Sequence, residues 1–179
     1  MGCSGINRKI DNLNKYQKLL EKDITGYESY LKEKKKIDEL NNQIIREENE
    51  IRANKHLDTQ QQKIDKAKQL MPLLYEKFRI EWIINYTEKF TGVLNDNSKL
   101  IEKKIQQLKF HRNIKKANEI IEDIGEYDTQ EEIKINLNSM MRETANTKKE
   151  IELMDSGSIV INKGKEMPDM DTYLKNLFN

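Results

Sequence analysis

The chain opens Met1-Gly2-Cys3-Ser4-Gly5. Removing Met1 exposes Gly2, and glycine is the residue whose amine takes an N-myristoyl group. Cys3 beside it is the sole cysteine. A palmitoyl group on Cys3 would add a second anchor. One acyl chain binds a membrane weakly and reversibly, whereas two signals hold. The usual acceptor pattern has Ser or Thr at position 6, and this chain has Ile6. Two readings stand: a lipidated terminus carried by Gly2 and Cys3, and an ordinary frayed terminus with an inert thiol.

The remaining residues show no second chemical constellation. The glycines at 2, 5, 26, 92, 125, 157 and 164 are scattered, so no loop cradles phosphate. His56 and His111 stand alone and far from the cysteine, which gives neither zinc spacing nor a Cys–His pair. Acidic pairs such as Glu47-Glu48 and Glu122-Asp123 follow from composition and converge on nothing. The reading is of a non-enzyme that needs no metal or cofactor. The run Lys34-Lys35-Lys36 reads either as a basic membrane patch or as a solvated face, and the acids around it favour the face.

Composition says what must position these residues. Of 179 residues, 35 % are charged and 36 % apolar, with only two prolines. The mean hydropathy is −0.90. That profile suits long helices and coiled coils better than a compact globule. Thirty-two basic and 31 acidic residues are interleaved, so no nucleic-acid footprint dominates. One cysteine excludes an internal disulfide, and no apolar run spans a bilayer, so a cytoplasmic setting is expected.

The predicted fold is all-α: an elongated helical hairpin or coiled-coil body, a flexible linker and a short C-terminal helix. The first helix is expected from Ile6 to about Ala53. Ile10, Leu13, Gln17, Leu20, Ile24, Tyr27 and Leu31 form a heptad seam with Gly26 inside it. After the lysine run the seam resumes out of step at Ile37, Leu40, Ile44 and Ile51, as where a packing partner changes. Over the polar residues 54–70 the helix either continues as an exposed rod or turns back; a turn near 54–60 is the favoured reading, with Asp58 or Thr59 capping the next helix.

Residues 71–94 are the one richly apolar block, buried on more than one side and serving as core or interface. Phe78, Trp82, Tyr86 and Phe90 are its candidate partner-binding residues. Gly92 and Asn95-Asp96-Asn97-Ser98 are expected to break the helix. A further helix ends at Gly125, and Asp128-Thr129 caps the next, with Glu131 and Glu132 in its first turn. Ile133, Leu137, Met140, Thr144, Thr147, Ile151 and Met154 repeat a weak seam that needs a partner. In domain terms, 1–5 is the acylation segment, 6–155 the body, 156–168 a linker and 169–179 an interaction helix. Ile159-Val160-Ile161 would serve as an added strand on a sheet edge. In the last helix Leu174, Leu177 and Phe178 are the candidate contacts, docking on the body or in a partner groove.

Met1-Gly2, the stretch Ala117–Ile124 followed by Glu131-Glu132-Ile133, and the terminal Met170–Phe178 together resemble pieces of the ESCRT-III family pattern. Those proteins are helical, with an N-terminal hairpin and a terminal helix read by the MIT domain of a disassembly ATPase. The resemblance implies membrane remodelling and a myristoylated start. It covers part of the chain, and residues 6–55 depart from the family's strongly basic first helix. From the residues themselves the leading expectation is a non-enzymatic assembly or scaffold protein. Its partners would be helical proteins or further copies of the chain, with a membrane surface added if Gly2 is acylated. A cytoskeletal or ciliary component on a microtubule lattice is the third reading.

Overall fold

The computed structural model describes residues 3–120, 131–157 and 170–178. It is all-α, and no strand occurs among the described residues. The helices are α1 (Cys3–Lys34), α2 (Asp38–Asn54), α3 (Gln60–Ile120), α4 (Leu137–Asp155) and α5 (Met170–Phe178). The chain divides into two compact units, and α1, α3 and α4 contribute residues to each. Unit 1 holds 1–29 and 89–148, and unit 2 holds 30–88 and 149–179.

Unit 1 is built on the α1 seam. Ile10, Leu13 and Leu20 are buried, as are Ile6 and Tyr16, which the seam spacing left out. Three contacts set the direction of α3. Tyr27 meets Phe90 edge-on with ring centres 5.3 Å apart. The Gln17 amide donates to Ser98 O at 3.4 Å and to Glu102 at 3.0 Å. Arg112 donates to Asn7 at 3.0 Å. Numbering rises along α3 as it falls along α1, so the two helices run antiparallel here. On α4, Thr144 meets Tyr16 Oη at 3.3 Å and Lys148 pairs with Asp23 at 3.0 Å, so α4 runs alongside α1 in the same direction. Of the α4 seam, Thr144 is buried in unit 1 and Ile151 and Met154 in unit 2, while Ile133, Leu137, Met140 and Thr147 are half-buried.

The break expected at Gly92 and 95–98 does not occur. α3 passes through it, because Leu94 and Ile101 are both fully buried on one face, one heptad apart. Packing of that kind overrides the weak propensities of Gly, Asn and Asp, each worth about 1 kcal/mol or less. Glu131 and Glu132 are not in a first turn either: α4 begins at Leu137. Its cap is Asn136, whose side-chain oxygen accepts the Ser139 N–H at 3.0 Å. Gly125, Asp128-Thr129 and Ile159-Val160-Ile161 lie outside the described residues.

In unit 2 the single long first helix is corrected to two. α1 stops at Lys34 and α2 starts at Asp38. The charges explain the stop. Lys32 and Lys34 lie in the last turn of α1, Asp38 and Glu39 in the first turn of α2, each favoured by the local helix dipole. The loss of phase in the seam is thus a helix end. The expected turn is found over 55–59. Thr59 forms a capping box: its hydroxyl accepts the Gln62 N–H at 3.3 Å, and its own N–H donates to the Gln62 side chain at 2.8 Å. Pro72 lies exposed inside α3.

The core of unit 2 joins Ile44 and Ile51 of α2, Leu70 of α3 and Leu177 of α5, with Leu40, Leu73, Leu74, Tyr173 and Phe178 packed around them. Nearby, α4 ends where Gly157 takes φ +76° and donates its N–H to Met154 O at 3.2 Å. That left-handed turn is the usual helix stop, and glycine adopts it without strain.

Candidate functional site

Gly2 lies outside the described residues. Cys3 opens α1 and is half-buried. Three residues on, Ile6 is buried, so the thiol stands at the edge of unit 1's apolar packing.

The structure distributes the seven candidate partner-binding residues between the units. Phe90 is buried in unit 1 against Tyr27. Phe78, Trp82 and Tyr86 belong to unit 2 and are half-buried. Phe78 and Trp82 pack at a tilt with centres 6.5 Å apart. The fully buried residue of that turn is Ile83, one position on from the expected Trp82. Tyr86 donates its hydroxyl to Glu150 of α4. Burial, then that bond and the nearby carboxylate charge, push its pKa up to about 12. Leu177 is 2 % exposed in the unit 2 core, while Leu174 and Phe178 are half-buried. Tyr173 beside them has its pKa raised, chiefly by burial and then by Glu48.

Arg79 has a role that the spacing of apolar residues did not suggest. Its guanidinium forks onto Glu76 at 2.7 and 3.0 Å and donates to Met154 O at 3.0 Å and Asp155 O at 3.3 Å. Lys34 pairs with Asp155 at 2.6 Å. The last turn of α4 carries no basic residue of its own. Two cations from other helices therefore supply the charge its dipole favours. The hydrogen bond from Arg79 is the main cause holding the Glu76 pKa below the usual glutamate value.

Unit 1 contains a cavity of about 340 Å³ between α1, α3 and the segment that leads into α4. Leu13, Leu108, Ile133, Ile135 and Leu137 give it an apolar lining, and Lys9, Lys104, Lys134 and Glu132 are its charged lining residues. Gln107, 9 % exposed, holds the wall in place. Its amide nitrogen donates to Glu131 O at 3.0 Å, and its oxygen accepts the Ile133 N–H at 3.0 Å. This satisfies two backbone groups of a non-helical stretch, as a neighbouring strand would. Lys104 reaches Glu132 at 3.6 Å; its side chain is only 12 % exposed and that of Glu132 is 71 % exposed. No local pattern in the sequence marks Gln107 or Lys104, because their partners lie 24 to 28 residues downstream.

Among the described residues no group of His, Cys, Asp and Glu is placed to hold a metal ion, and no helix is long and apolar enough to cross a membrane. Comparison with protein-family models, with characterised proteins and with solved structures gave no match.

Proposed function

We propose that the chain is a non-enzymatic helical assembly protein, a subunit that binds other helical proteins or copies of itself through the outer sides of its helices. One observation carries this reading. In unit 1 the α1 seam is closed within the chain, yet Leu19, Val93, Phe110 and Met141 stay 55, 52, 54 and 43 % exposed. Val93 and Leu100 repeat one heptad apart on α3, with Leu100 still 37 % exposed. Apolar side chains at that spacing fit a facing helix. In unit 2, Leu57 at the α2–α3 turn is 81 % exposed, and Ile45 and Ile64 add to the apolar surface. The N-terminal Gly2 and Cys3, if acylated, place the same subunit on a membrane surface. The membrane-remodelling and filament-bound readings need a charged face. Within the Lys34–Lys36 run, Lys34 pairs with Asp155 and Lys35 with Glu88.

The test is the native mass of the chain in extracts of its own cells. The reading expects migration well above the 21.3 kDa of one chain. It also expects Val93→Ser with Leu100→Ser to return the chain to monomer size with its helicity intact. Monomer migration of the unaltered chain in fresh extract contradicts the reading.

A further inference from the structure

We propose that the unit 1 cavity binds an amphipathic monoanion, a free medium-chain carboxylate whose chain lies on Leu13 and Leu108 and whose head group meets Lys104. Size, lining and charge each support this. The cavity, about 340 Å³, falls at the lower end of the roughly 300–1,000 Å³ typical of small-molecule sites. At the roughly 30 Å³ that a water molecule occupies in the liquid, this is room for about eleven groups of that size, close to the twelve non-hydrogen atoms of a ten-carbon carboxylate. Half of the lining residues are apolar, and the charged ones are three lysines, Lys9, Lys104 and Lys134, against the single carboxylate Glu132. An anion is therefore favoured over a neutral or cationic amphiphile.

Lys104 fixes where the head group sits. Its ammonium lies on a side chain that is 12 % exposed, and Glu132 compensates it across 3.6 Å from a side chain that is 71 % exposed. A long pair with one solvated member stabilises little. A carboxylate inside the cavity would sit in less water and make a shorter, charge-assisted bond to the same nitrogen. Glu132 would then be displaced to solvent, so it acts as a competitor for the ligand. An acyl chain attached to the protein as an amide lacks the charge that the lysines select, so the free acid is the occupant.

The experiment is isothermal titration of the full, unacylated chain with decanoate below its micelle concentration, alongside decanol and decylammonium. Saturable one-to-one binding of decanoate is expected, with the other two at least about tenfold weaker. Lys104→Met keeps the stem and removes the charge, and is expected to weaken decanoate about tenfold or more. Glu132→Gln changes an exposed side chain, leaves the fold intact and is expected to tighten decanoate severalfold. No saturable binding, or decanol binding as tightly as decanoate, overturns the proposal. An unchanged or weakened affinity in Glu132→Gln overturns it equally, whatever the folding of the lysine variant.

Discussion

Unit 1 and unit 2 share three helices and are held by different means. In unit 1 the packing seam is threaded with polar contacts. Tyr16 meets Thr144, Gln17 reaches α3, and Gln107 clamps the segment before α4. Hydrophobic contact is non-directional, so these bonds supply what it lacks, a fixed register along long helices. Unit 2 relies instead on a small apolar core whose third wall is the nine-residue helix α5. A helix that short is not stable by itself in water. The α2–α5 core of unit 2 therefore depends on one docking event, apart from the polar contacts of Arg79, Lys34 and Tyr86 with α4, while unit 1 spreads its support along the helices.

The largest effect should come from Leu177→Ala. The side chain is 2 % exposed, and truncation is expected to cost about 2–5 kcal/mol. Urea unfolding would measure the loss. Hydrogen exchange should show α2 and α5 deprotected while α1 residues 6–20 keep their protection. Equal loss in both units would erase the contrast between them.

Next is Arg79→Met, which removes the charged cap of α4 and is expected to cost about 1.5–3 kcal/mol. The variant also changes the acid response. The Glu76 pKa is depressed in the folded chain. Its contribution is therefore present above the unfolded glutamate pKa and is lost as pH falls through the lower folded value. Thermal melts across the acid range should show a shallower decline for Arg79→Met than for the parent chain.

In unit 1, Tyr16→Phe is expected to cost about 1 kcal/mol, since one buried hydroxyl contact is lost and the ring remains. Denaturant midpoints would show it. A cost as large as that of Leu177→Ala would mean that unit 1 also hangs on a single contact.

Two smaller effects sharpen the picture. Gly26 and Gly92 lie inside unit 1 helices, and a Cβ added at either meets nothing within 4 Å. Each Gly→Ala change should stabilise by about 0.4–1 kcal/mol, read as a raised melting temperature. On the alkaline side, the folded pKa of Tyr86 is raised from 10.0 to about 12. Its contribution is intact below pH 10 and is lost as pH rises through 12. Tyrosinate absorbance should show a late-titrating component that shrinks in Tyr86→Phe.

Much of this fold is legible in the sequence. The α1 seam, the turn at 54–60 with Asp58 or Thr59 as its cap, and the apolar character of 71–94 follow from period and cap chemistry. The break at Lys34–Asp38 does not: the loss of phase there reads as a change of packing partner along one helix, and the helix end appears only with Lys32 and Lys34 in one last turn and Asp38 and Glu39 in the next first turn. The uninterrupted passage of α3 through Gly92 and 95–98 is not legible, because Leu94 and Ile101 hold it by contacts outside the local segment. Nor is the cavity. Lys104 and Gln107 look like ordinary polar positions until the chain returns after α3 and places Glu132 and Ile133 against them. Sequence spacing finds faces of helices and does not say which faces meet.

The central proposal is that the α1 seam is satisfied within the chain and that partners meet the outer surface. The direct measurement is hydrogen exchange of the purified chain alone, compared with the same chain in its native complex. Residues 6–31 of α1 and 83–108 of α3 should already be protected in isolation, with added protection in the complex confined to the flanks around Leu19, Val93 and Leu100. Fast exchange of the seam in isolation, slowing only in the complex, would contradict the account and return the seams to the partner.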